Sequence, residues 1–175
     1  MSVPFRIELG PERLIRGDLY PAKGPAKGTL IICHGFKGYK DWGMFPYLAE
    51  RFSQDLDTIT FNFSHNGIGE NLQEFTELEK FAINTYSKEL EDLDAVVQAV
   101  LNNRLPQAVK PAPLFLLGHS RGGGVSLIYS FDYPDRISGV ISMNGVTYVD
   151  IFSEEQKEEM RAKGRSYVIN ARTGQ

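Results

Sequence analysis

The stretch FLLGHSRGGG, residues 115–124, runs from an apolar strand into a sharp turn carrying a serine, then into a glycine-rich helix start. The short apolar run has the pattern of a central strand covered on both faces. Its middle, Gly118-His119-Ser120-Arg121-Gly122, is G-x-S-x-G at a strand-to-helix turn. The residues two before and two after the serine must be small if strand and helix are to approach this closely. A serine hydroxyl is a weak nucleophile until a base removes its proton, and a turn of this kind holds the oxygen clear of the backbone for a base arriving from another loop. The bland alternative is a glycine-rich turn with no chemistry. Two phosphate-binding readings fail, because Ser120 occupies the second glycine position of G-x-G-x-x-G and no Gly-Lys-Ser/Thr follows.

Outward from this turn the chain alternates strand and helix. TLIICHG, DTITFNF and SGVISMNG join PLFLLGH as short segments bounded by turn residues, and DTITFNF is the most mixed of the four. Between them, Phe45, Leu48, Ala49 and Phe52 share one helical face. From Ser87 to Leu101 the stripe is Leu90, Leu93, Val97, Val100 and Leu101, with Lys88, Glu91 and Asp92 off it. A third helix is predicted from Arg121 with Val125, Ile128 and Tyr129. At the N-terminus VPFRIEL and RLIRGDLYP alternate about Gly10-Pro11 as an antiparallel hairpin, and PAKGPAKG breaks the chain after it. Strand, helix, strand, helix in this order predicts right-handed crossovers and an α/β, doubly wound, mostly parallel sheet.

The 175 residues suffice for one well-filled domain. A net charge of −3 argues against a basic nucleic-acid surface, and no apolar run reaches membrane-span length. The first residues lack the basic and apolar regions of a signal peptide. Cys33 is the single cysteine, which excludes an internal disulfide and a cysteine-built metal site. A soluble, cytoplasmic protein is the default expectation.

A second motif strengthens the reading of Ser120. LIICHGFKGYKDW places His34-Gly35-Phe36 at the end of an apolar strand, where a backbone N–H can face a developing oxyanion. Together, HGF, FPYLAERF and GHSRGG resemble the α/β-hydrolase superfamily, and more narrowly its bacterial esterase and serine-aminopeptidase-like members; the resemblance runs from about Thr29 through Thr147. It implies Ser120 as nucleophile, the backbone N–H groups of Phe36 and Arg121 as oxyanion hole, ester or amide substrates of a small acyl group, and neither cofactor nor metal. His119 and His34 are expected to support the loops and Cys33 to fill the core. His65 and Asn66 either touch substrate or form an Asn-Gly turn. Glu70, Glu74, Glu77 and Glu79 either recognise a substrate amine or form a solvated acidic face.

The resemblance also exposes a departure. The family order is nucleophile, acid, histidine, yet the three histidines, His34, His65 and His119, all precede Ser120. Asp132, Asp135 and Asp150 therefore have no downstream imidazole to orient. Six of eight strands are recognisable, so residues 1–150 are expected to form an incomplete hydrolase core and 151–175 the start of a cap, in the N-terminal portion of a longer hydrolase. Two readings follow: a serine hydrolase that is weak or inactive in this form, or a catalytically dead remnant that binds or self-associates through its exposed sixth strand. A dyad of Ser120 with His34 or His65 is a third.

Overall fold

A computed structural model describes residues 1–72 and 74–169. The alternating N-terminal segments form β1 (Val3–Glu8) and β2 (Leu14–Tyr20), paired antiparallel with Phe5 opposite Gly17. The apolar segments become β3 (Thr29–Cys33), β4 (Asp57–Asn62), β5 (Leu114–His119) and β6 (Gly139–Met143). Among the described residues these make one six-stranded sheet in the order β1-β2-β4-β3-β5-β6. β3 lies parallel between β4 and β5, β6 continues parallel beyond β5, and β2 joins β4 antiparallel. This is the mostly parallel sheet with an antiparallel hairpin that the sequence predicts.

Alternate side chains of the central strands face opposite ways, and each face receives helices. Leu30, Ile32 and Leu117 meet Phe45 and Ala49 of α1 (Phe45–Phe52). On the other face Ile31, Ile59, Phe61 and Leu116 form a larger core with α3 (Tyr86–Leu101) and α4 (Arg121–Asp132), through Leu93, Val96, Val97, Val125 and Tyr129. Burying each aliphatic side chain is worth roughly 1.5–3 kcal/mol. α2 (Leu78–Ala82), a short turn of helix after β4, and the exposed α5 (Glu154–Lys163) complete the elements. Ser153 and Gln156 cap α5 reciprocally.

Two local expectations need correction. Asp92, placed off the apolar stripe of α3, is fully buried, while Leu101 at the helix end is exposed. Asp92 is tolerated inside because it accepts hydrogen bonds from Ser64 N (2.7 Å), Ser64 Oγ (3.0 Å) and Arg13 Nη2 (2.6 Å). The apolar β6, expected as an exposed strand, pairs with β5 alone among the described residues, and its Ile141 is 46% exposed. After α5, residues 165–169 form no helix or strand, and the end of the 151–175 segment expected to open a cap lies outside the described residues.

Candidate active site

Ser120 sits between the end of β5 and the first residue of α4 with φ +53° and ψ −121°, a backbone conformation in which a side chain is strained. The surroundings hold it there. Its N–H donates to Met143 O (2.9 Å), and its carbonyl accepts from Gly123 N (3.0 Å) and Val146 N (3.2 Å). The flanking glycines are required by contact: a methyl at Gly118 would strike Gly122 O, and one at Gly122 would strike the carbonyls of Cys33 and His34. As first residues of α4, Arg121 and Gly122 have N–H groups that no preceding helical turn can accept.

The loop after β3 closes on this turn. A Cβ at Gly35 would lie 3.0 Å from Ser120 Cβ and 3.5 Å from Ser120 Oγ, and Phe36 is the next residue along this loop. His34 anchors the loop beneath. Its Nε2 accepts from Phe63 N (3.2 Å) and its Nδ1 lies 2.9 Å from Gly35 O, so the neutral Nδ1–H form fits both neighbours. Burial pushes its pKa down to about 4. Asn66 steadies the same loop by donating to Gly38 O (3.2 Å) and accepting from Ile68 N (3.1 Å).

The remaining candidates occupy varied surroundings. His65 is buried, with Nδ1 2.9 Å from Ser64 Oγ; burial, then the nearby Lys88 cation, hold its pKa below the usual value. His65 and Asn66 lie in a turn closed by Asn66 N–H to Phe63 O, followed by Gly67 at φ +87°. His119 packs 6.0 Å from Trp42 and 6.1 Å from Phe45 between ring centroids. Cys33 is a buried core thiol, pushed up to about 12 by burial. Glu70 pairs with Arg6 and Arg16, and Glu77 with Lys80, while Glu74 and Glu79 are exposed. Among the described residues no three His, Cys, Asp or Glu side chains converge to hold a metal ion, and no helix is long and apolar enough to cross a membrane.

Other side chains at the site escaped the sequence reading. Phe81 of α2 stacks on Phe36 at 5.3 Å between centroids, and Arg121 is buried against Tyr86 and Glu89 of α3. Glu89 precedes Leu93 by four residues, so its helical spacing already places it on the buried stripe. Phe81 had no such signal, because α2 is too short to show a period.

The strained serine between strand and helix, closed over by the β3 loop within a mostly parallel sheet, defines an α/β-hydrolase architecture. Residues 28–165 match the family model described as alpha/beta hydrolase fold, and the chain belongs to that family. It is similar to the monoglyceride lipase of Rattus norvegicus, at 26% identity over 146 residues covering 83% of this chain and 44% of the relative. A monoglyceride lipase homolog of Monkeypox virus is 30% identical over 124 residues, covering 71% of this chain and 40% of the relative. The chain thus spans less than half the length of these curated relatives. The crystal structure of a dienelactone hydrolase from Anabaena variabilis superposes with a TM-score of 0.66 at 21% identity, over 83% of this chain and 63% of that one, a likeness of fold alone.

Proposed function

We propose that Ser120 is the nucleophile of a carboxylic-ester hydrolase that works through an acyl-enzyme. The observation that carries this reading is the strained φ of Ser120 packed against Gly35 of the loop after β3. Ser120 Oγ attacks the carbonyl carbon while its proton passes to a base. The carbonyl oxygen becomes an oxyanion facing the N–H groups of Phe36 and Arg121. Collapse of this intermediate expels the alcohol, which takes up the proton, and water then releases the carboxylic acid from Ser120. The likeness to monoglyceride lipases favours small, uncharged esters such as monoacylglycerols over amides.

His34 is a poor candidate for the base, since its Nε2 accepts the Phe63 N–H, and residues 121–175 contain no histidine. Residues 1–150 are read as the core that mounts the nucleophile and 151–175 as the opening of a cap. Labelling with a fluorophosphonate probe, comparing wild type with Ser120→Ala, tests the nucleophile. Label on the wild type alone supports it; equal labelling of both proteins overturns it.

A second reading, a binding or self-association module, is favoured by the open edge of β6. That strand carries no charge or proline to discourage pairing with another chain.

A further inference from the structure

Arg121 contributes more to this site than a backbone N–H. Its residue is only 5% exposed, and burying a guanidinium is costly unless it is paired and hydrogen-bonded. Arg121 Nε donates to Glu89 Oε2 at 2.8 Å, and Glu89 Oε1 accepts from Asn84 Nδ2 at 2.7 Å. The guanidinium carbon stands 3.8 Å from the centroid of the Tyr86 ring, a flat stacking contact that a lysine ammonium cannot reproduce. It also lies 5.8 Å from the centroid of Phe36, whose own ring is backed by Phe81. One side chain therefore ties together the start of α4, the first turn of α3 and the loop after β3.

A buried ion pair is a poor device for stability alone, since well-packed apolar residues of similar volume commonly do as well or better. What it supplies is fixed geometry among the start of α4, the first turn of α3 and the loop after β3. Burial raises the carboxyl pKa of Glu89, and the Arg121 cation opposes that rise.

We propose that Arg121 is a positioning residue whose side chain, held by Glu89 and Tyr86 and resting against Phe36, sets the relative placement of the Phe36 and Arg121 backbone N–H groups. The proposal rests on the assignment of Ser120 as nucleophile, and its test separates the two. The 175-residue protein is compared with Arg121→Met and Arg121→Lys by NMR order parameters of the Phe36 and Arg121 amides, with Ile31 and Ile59 as core references. The rate of fluorophosphonate labelling at Ser120 is measured in parallel.

In the wild type both site amides are rigid, with order parameters of about 0.85; in Arg121→Met the Phe36 amide falls to about 0.6 or lower while the core amides stay rigid. Arg121→Lys, which keeps the charge and loses the flat stack, falls between them. Labelling of Arg121→Met slows roughly ten- to a hundredfold. Unchanged Phe36 order in a folded Arg121→Met protein overturns the proposal, as does a loss shared evenly with the core amides or an unchanged labelling rate. If Arg121→Met does not fold, Arg121→Lys decides by the same comparison. If the wild type takes no label, the nucleophile assignment fails and the order parameters alone decide whether Arg121 positions the loop.

Discussion

Gly35 and Ser120 meet at the ends of the neighbouring strands β3 and β5, so closely that a methyl on Gly35 would stand 3.0 Å from Ser120 Cβ and 3.1 Å from His119 O. The loop proposed to stabilise the oxyanion and the turn proposed to carry the nucleophile thus share one contact. Gly35→Ala should cost about 1–3 kcal/mol through overpacking. Gly122→Ala should cost more, since its methyl would strike two backbone carbonyls, those of Cys33 and His34, that cannot rotate away. Gly24→Ala meets nothing within 4 Å and should leave stability nearly unchanged. Urea unfolding of the three variants checks this order.

Ser120 holds a positive φ that glycine adopts without strain. Ser120→Gly should therefore stabilise the fold by about 1 kcal/mol while removing the hydroxyl. Ser120→Ala keeps its Cβ and should bring no such gain. Equal midpoints for the two variants in chemical denaturation would refute a strained serine.

His34 is held neutral by burial, at about 4 against 6.5 for the free side chain. A histidine depressed in the native state contributes stability that is complete above pH 6.5 and lost as pH falls towards 4. The loss sums to roughly 3 kcal/mol. Because carboxylates also titrate in this window, the measurement is a difference: stability of wild type and His34→Gln at pH 7 and at pH 4.5. The wild type should lose more on acidification, and parallel losses would contradict the assignment.

Asp92 holds Ser64 and Arg13 from a fully buried position. Asp92→Ala should cost about 1–3 kcal/mol by leaving the buried Ser64 N–H without its acceptor, while Arg13 keeps Glu91 as a partner. Asp92→Asn retains one acceptor oxygen and should cost less. Guanidinium denaturation ranks the two.

The edge of β6 presents Ile141 at 46% exposure. If this edge pairs with a second chain, Ile141→Lys should shift the protein towards monomer in size-exclusion chromatography with light scattering. A wild type that stays monomeric across a concentration series would remove the self-association reading.

The four parallel strands, the hairpin and the helices α1, α3 and α4 were legible because period-2 and period-3.6 patterns are local properties of the chain. The proposed nucleophile turn and oxyanion loop were legible as motifs for the same reason, since each glycine answers a steric demand a few residues away. Glu89 and Asp92 were harder. Helical spacing puts Glu89 on the buried face while Asp92 reads as off the apolar stripe, the charge of each argues for solvent, and only the donors from Arg121, Asn84, Ser64 and Arg13 account for their burial. Apart from Asn84, those donors come from distant parts of the chain.

By itself, then, the sequence determined which segments alternate as strands and helices, that Ser120 sits at a strand-to-helix turn, and that no histidine follows it. Tertiary structure alone decided that Gly35 touches Ser120, that His34 spends its Nε2 on the Phe63 N–H, and that Arg121 is locked between α3 and Phe36. Periodicity and glycine placement are written into neighbouring residues, whereas a buried charge acquires its partners only when remote elements are brought into contact.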